Sequence, residues 1–158
     1  MRGKYIEFLK NCKIITEHYE YLVNLTKNHI FVGATNEWII DNFYLIVETK
    51  NNLKRNYKTN KNLKHSMTNV NMFEIMTEIF EKNNYDMSYK SLVRELNAYQ
   101  LKNGVYLTYR NLETIPSVIG MIVIDRIKKL CVAKRDEQDE KQKVRDLIKE
   151  INERRENG

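Results

Sequence analysis

The stretch Thr35–Val47, TNEWIIDNFYLIV, decides the fold. Thr35, behind Gly33 and Ala34, carries the hydroxyl of a good N-cap, and Glu37 places negative charge in the first turn, where the helix dipole favours it. Trp38, Ile39, Ile40, Phe43, Tyr44, Ile46 and Val47 then leave almost no polar face, which predicts a helix covered from more than one side. Asp41 and Asn42 interrupt that surface. Once buried, such groups need partners. They either bond a neighbouring helix or loop end, or line a groove that meets a ligand or an adjoining domain. Trp38, Phe43 and Tyr44 have two uses as well: core packing, which the apolar surroundings favour, or stacking on a sugar.

Working outward, Tyr5, Ile6, Leu9, Ile15, Tyr19, Leu22 and Val23 recur at three- and four-residue steps and predict a helix over about Tyr5–Asn28. The helix containing Trp38 is expected to span Asn36 to about Asn51, followed by an Asn/Lys-rich loop over Asn52–Thr68. Asn69 or Asn71 can cap a third helix with Phe73, Met76, Ile79 and Phe80 on its stripe. Ser88 caps a fourth, carrying Leu92, Val93, Leu96 and Tyr99. Thr108 caps a fifth, with Leu112 and Ile115 facing inward. Pro116 removes an amide donor, so that helix either kinks there or ends, with a new one starting at Ile115–Pro116. Val118–Val132 is apolar enough for a central helix, whereas Arg135–Glu156 is laced with charge and has only Val144, Leu147, Ile148 and Ile151 as aliphatics. The expected architecture is all-α: a single helical domain of about five to six helices. Its core is expected to hold Trp38, Ile39, Phe43, Ile46, Phe73, Ile79, Leu96, Ile119, Ile122 and Ile127. Residues 1–134 form the module and residues 135–158 a charged helical extension or linker.

Composition narrows the function classes. At 42% hydrophobic and 30% charged, 158 residues suit one folded domain with a proper core. Five glycines and one proline disfavour a turn-rich all-β fold. No run reaches the ~18–20 apolar residues of a membrane span, and Lys4, Glu7, Lys10 and Lys13 break up the first residues, so a cytoplasmic domain is expected. Cys12 and Cys131 show no CxxC spacing, and His18, His29 and His65 no HExxH; the cysteines read as core residues, with no metal and no cofactor indicated. The net charge of +6 concentrates in Lys50, Lys54, Arg55, Lys58, Lys61 and Lys64, in a segment without acidic residues between Glu48 and Glu74. Such a stretch can meet phosphate. A solvated connection fits it better, because Tyr57 alone could serve as a stacking platform for bases.

Two segments carry a resemblance. Glu37-Trp38-Ile39-Ile40-Asp41-Asn42-Phe43-Tyr44-Leu45-Ile46 resembles the "EWLLDNFHLI" segment in the amino-terminal region of the cyclic β-1,2-glucan synthases. Ala98-Tyr99-Gln100, followed by VYLTYRNLETIPSVIGMIVIDRIKKL (Val105–Leu130), is similar to that family's "AYQ…PLTIGELWALPIMLRLALIENLRRL" in order and spacing. Between the two, NKNLKHSM (Asn60–Met67) and NVNMFEIM (Asn69–Met76) stand where the family has "ELPKL" and "GYPRVY". The resemblance implies a helical module ahead of a UDP-glucose-dependent transferase region, in large proteins associated with the inner membrane. The implied partners are the downstream transferase domains and glucan.

The residues themselves offer little chemistry. There is no DxD, no GxxxxGK[ST] phosphate loop and no GxSxG. Glu37 and Asp41 are four apart and share a helix face, as an acid/base pair could, but Glu37 has a ready role at the helix start. No catalytic residue is assigned. Glu37, Trp38, Asp41, Asn42 and Tyr44 are the candidates for ligand or domain contact. The expected function is a non-catalytic scaffold or docking module of a glucan-synthase-like glycosyltransferase. The alternatives are a carbohydrate- or nucleotide-sugar-binding helical domain and a basic helical nucleic-acid-binding module, the last disfavoured.

Overall fold

The computed structural model describes residues 2–60 and 71–157. Among these the protein is all-α: α1 (Arg2–Lys27), α2 (Ala34–Thr59), α3 (Met72–Lys82), α4 (Tyr89–Asn103), α5 (Tyr109–Glu113) and α6 (Ile115–Asn157). Local chemistry sets most boundaries. Asn71 Oδ1 accepts from the Glu74 amide, and Ser88 Oγ from the Ser91 amide. Thr108 and Asn111 satisfy each other reciprocally, Asn111 N donating to Thr108 Oγ1 and Thr108 N to Asn111 Oδ1. Each arrangement supplies an acceptor to a first-turn amide that has no partner within its helix. The chain breaks at Thr114 and restarts at Ile115, so Pro116 falls in a first turn, where its missing amide costs no bond.

Two cores share one helix. In the first, α1 and α6 run parallel and α2 antiparallel to both, as Tyr5 stacks on Tyr57, Tyr19 on Phe43, and Asn11 meets Asp125. Phe8, Cys12, Ile15, Leu22, Ile39, Ile46, Leu53, Met121, Ile124, Ile127 and Cys131 fill it. The second joins Met72, Ile75, Met76 and Ile79 of α3 with Leu92 and Leu96 of α4, Leu107, and Val118 and Ile122 of α6. Phe73 packs against both. The expectation of a single continuous core is therefore replaced by two clusters joined through α6 and Phe73. Gln100 Oε1 accepts the Leu107 amide at 2.9 Å, tying α4 to the segment that follows Gly104, whose φ of 61° ends the helix.

Several local expectations are corrected. Helix α2 does not stop near Asn51; it continues to Thr59, so residues 52–59 are helix rather than loop. The cause is packing: Ile39, Ile46 and Leu53 follow at seven-residue steps into the first core, and Tyr57 stacks face to face on Tyr5 at 3.7 Å between ring centres. The rest of the predicted loop, residues 61–70, with Lys61 and Lys64, lies outside the described residues. Thr35 is not the N-cap. Gly33 holds that position with φ 86°, a value that favours glycine, and the helix begins at Ala34. Leu112 is exposed, while Asn111 turns inward through its bonds to Thr108.

Leu53 tests the extended α2 directly. It is 2% exposed, so Leu53→Ala is expected to cost about 2–5 kcal/mol in a urea melt. A midpoint equal to that of the unaltered protein would place residues 52–59 outside the fold.

Candidate functional site

Only one side of α2 is buried. Its inward residues are Asn36, Ile39, Ile46 and Leu53, with Ile40 and Phe43 half-buried beside them. Trp38 is 49% exposed, and Tyr44, Leu45 and Val47 are also exposed. The expectation that Trp38 belongs to the core is thus overturned. Seven-residue steps send 39, 46 and 53 inward, and a residue one position earlier than Ile39 is turned about 100° away. Glu37 and Asp41 lie on the same exposed side. Asp41 is exposed and has no hydrogen-bond or charge partner among the described residues, so of its two readings the bond to a neighbouring helix or loop end is not the one seen. Asn42 Nδ2 donates to the Trp38 carbonyl at 2.8 Å, a local bond along its own helix.

A groove of about 430 Å³ runs between the second half of α2 and the start of α6. Asn52 and Asn56 form one wall, Pro116, Ile119 and Val123 the other, with Leu53 and Gly120 between them. Seven residues back from Asn52 stands Leu45, and seven further back Trp38; seven residues on from Val123 stands Leu130. Because α2 and α6 are antiparallel, both steps travel the same way along the seam. Trp38, Leu45, Val123 and Leu130 are all exposed. The seam therefore carries a row of accessible apolar side chains, with Asp41 at its edge.

Among the described basic candidates, Arg55 does not share a face with the lysines. Lys50 and Lys54 are half-buried on the side of α2 toward α1, close enough to act on the Cys12 thiol, whereas Arg55 lines the groove. Lys58 is exposed. Tyr57 has its ring occupied by Tyr5. The thiols of Cys12 and Cys131 are fully buried and unpaired, and burial pushes both up to about 11, which leaves them as protonated core side chains. Among the described residues no three His, Cys, Asp or Glu side chains gather as a metal site would require, and no described helix is long and apolar enough to cross a membrane.

Sequence inspection missed a polar knot at the far end of the three-helix unit. His18 is 3% exposed, and its Nε2 lies 3.0 Å from Asn36 Oδ1. Asn36 Nδ2 donates to the Val32 carbonyl at 2.8 Å, which fixes the amide so that Oδ1 faces the imidazole. Nε2 must then carry the hydrogen, and Nδ1 is a buried acceptor with no partner among the described residues. Gln138 Nε2 reaches the same Val32 carbonyl at 3.4 Å, and Arg135 lies over the Tyr21 ring at 3.4 Å. His18 and Asn36 are 18 positions apart, and nothing local in the sequence pairs them. A cleft of about 660 Å³ opens beside them between α1 and α6, bordered by Glu17, Glu20, Arg135 and Asp136.

Compared with known protein families, with characterised proteins and with solved structures, the chain matches none.

Two outcomes follow from this geometry. Trp38→Ala and Asp41→Ala should each shift stability by less than about 1 kcal/mol, against about 2–5 kcal/mol for Ile39→Ala. The second concerns pH. Burial, and to a lesser extent the charge of Arg135, lower the His18 pKa below its ordinary 6.5, against the opposing bond to Asn36. The unfolded chain therefore binds a proton that the folded one refuses, and stability falls as pH drops below about 6.5, until the folded pKa is reached. Urea midpoints between pH 7.5 and 5 should decline more steeply in the unaltered protein than in His18→Gln, by up to about 1.4 kcal/mol per pH unit. Parallel slopes would show that His18 accepts a proton in the folded state.

Proposed function

We propose that this chain is a non-catalytic helical docking module, whose α2–α6 seam receives an apolar element of a neighbouring transferase region. One observation carries this: Trp38, in the segment that resembles the glucan synthases, stands half-exposed in a row with Leu45, Val123 and Leu130. An aromatic anchor within an accessible aliphatic strip, rimmed by polar groups such as Asp41 and Asn52, has the makeup of a protein-binding surface. The transferase region as occupant comes from the resemblance, which implies such a region following the amino-terminal part. Non-catalytic character is supported by the placement of Glu37 and Asp41. Both carboxylates stand in solvent on one helix, and among the described residues no base or donor faces them to hold a substrate.

A specific observation favours carbohydrate or nucleotide-sugar binding as the alternative. Asp41 is exposed and unbonded one turn from the accessible Trp38 ring, a pairing of acceptor and flat apolar surface that suits a sugar. Nucleic-acid binding gains no such support, since Lys50 and Lys54 are half-buried toward α1, Arg55 turns to the other side, and Tyr57 is occupied.

Calorimetry separates the two. With a transferase region of a β-1,2-glucan synthase, saturable binding is expected. It should weaken about tenfold or more, the equivalent of ~1.4 kcal/mol, in Trp38→Ala with Leu45→Ser, and stay unchanged in Asp41→Asn. UDP-glucose and β-1,2-gluco-oligosaccharides should give neither saturable heat nor turnover. Saturable sugar binding, lost in folded Trp38→Ala and Asp41→Asn variants, would replace docking with carbohydrate recognition.

A further inference from the structure

Past Gln138, α6 leaves the bundle. Every residue from Asp139 to Arg155 is exposed, over a length of about 25 Å at ~1.5 Å per residue. Ion pairs along the helix suit it to water: Glu137–Lys141, Glu140–Lys143 and Glu150–Arg154 lie 3.8, 3.4 and 2.7 Å apart. Four aliphatic side chains interrupt this polar surface. Val144, Leu147, Ile148 and Ile151 recur at three- and four-residue steps on one face, each between 45% and 57% exposed. Solvation alone does not call for such a stripe. It is separate from the α2–α6 seam and does not depend on what that seam binds.

The kind of aliphatic residue at each position identifies the occupant. With Val144 and Ile151 at heptad position a, Leu147 falls at d. β-Branched residues at a with leucine at d favour a parallel pair of helices. The flanking charges agree. In a parallel pair each g position faces the e position five residues on in the partner. Within the free stretch that sets Glu150 against Arg155, opposite charges, and Lys143 against the uncharged Ile148. An antiparallel pair centred on Leu147 and Ile148 gains Lys143 against Glu150 but sets Lys141 against Arg155. Glu137 and Glu140 upstream, and Arg154 downstream, end the apolar run at a and d, so the paired stretch is short.

We propose that the free length of α6 pairs with a second copy of this chain as a short parallel two-stranded coil, with Val144, Leu147 and Ile151 in its seam and Ile148 beside it. Two heptads bury far less than the ~1,200 Å² of a standard interface, so the association is weak and concentration-dependent.

Sedimentation equilibrium of the full chain, from about 10 to 500 µM, a range suited to so small an interface, should show the weight-average mass climbing from 19.0 kDa toward twice that value. Leu147→Glu should hold the mass at 19.0 kDa with an unchanged urea midpoint, because the residue lies outside both cores. Direction is read by disulfide trapping, for which the native thiols are buried and silent. Val144→Cys alone should crosslink to itself. A mass fixed at 19.0 kDa throughout overturns the proposal. So does association that persists in Leu147→Glu, and so does crosslinking that appears only when Val144→Cys is mixed with Ile151→Cys.

Discussion

The structure depends on α6 being apolar on two sides at once. Met121, Ile124, Ile127 and Cys131 pack into the unit formed with α1 and α2, while Val118 and Ile122 point into the unit formed with α3 and α4. Neither set of partners closes a core without this helix. α1 and α2 bury their stripes against each other and α6, and α3 meets α6 as well as α4. The density of aliphatics over Val118–Cys131 is therefore the physical requirement for one domain rather than two loose helical pieces. At Gly120 the approach of α2 is close: a Cβ there would sit 3.4 Å from Thr49 and 3.5 Å from Leu53, ordinary van der Waals contact that leaves little spare room.

Where hydrophobic contact ends, polar contact takes over. The Val32 carbonyl precedes the corner at Gly33 and receives bonds from Asn36 and Gln138, while Asn36 also holds His18. One backbone oxygen thus ties the start of α2 to α1 and α6. Buried polar groups are costly when unpaired, so this arrangement fixes the corner more narrowly than apolar packing would. It also marks where the helix leaves the bundle, because every residue from Asp139 to Arg155 is exposed. What lies beyond Gln138 has no partner in either core among the described residues, and its aliphatic stripe is exposed.

The surface proposed for docking follows from the same packing. Burial of Ile39, Ile46 and Leu53 rotates Trp38 and Leu45 to the rim of the α2–α6 seam, where Val123 and Leu130 also emerge. The basic residues divide around α2 according to the same phase, Lys50 and Lys54 toward α1 and Arg55 into the groove. The stretch Trp38–Val47, apolar almost all round, thus turns one side to the core and leaves the other exposed.

The sequence by itself determined the fold class and most helix starts, because these are local. Asn71, Ser88 and Thr108 supply acceptors to amides three residues away, and Pro116 forces a restart within one turn. It also determined that Val118–Val132 is central, since no exposed helix carries so many aliphatics. The seven-residue phase of Ile39, Ile46 and Leu53 was there to be read, but the Asn/Lys-rich composition around Leu53 hid it, and tertiary burial overrode composition. Only the tertiary structure decided which side of the Trp38 helix is covered. Within Trp38–Val47, where Asp41 and Asn42 are almost the only polar residues, the local pattern leaves the choice open, and it rests on where α1 and α6 lie. For the same reason Asp41 could be placed on a helix but not in or out of the interior. The pairing of His18 with Asn36 and Gln138 joins residues distant in the chain, through geometry that exists only once the three helices have met.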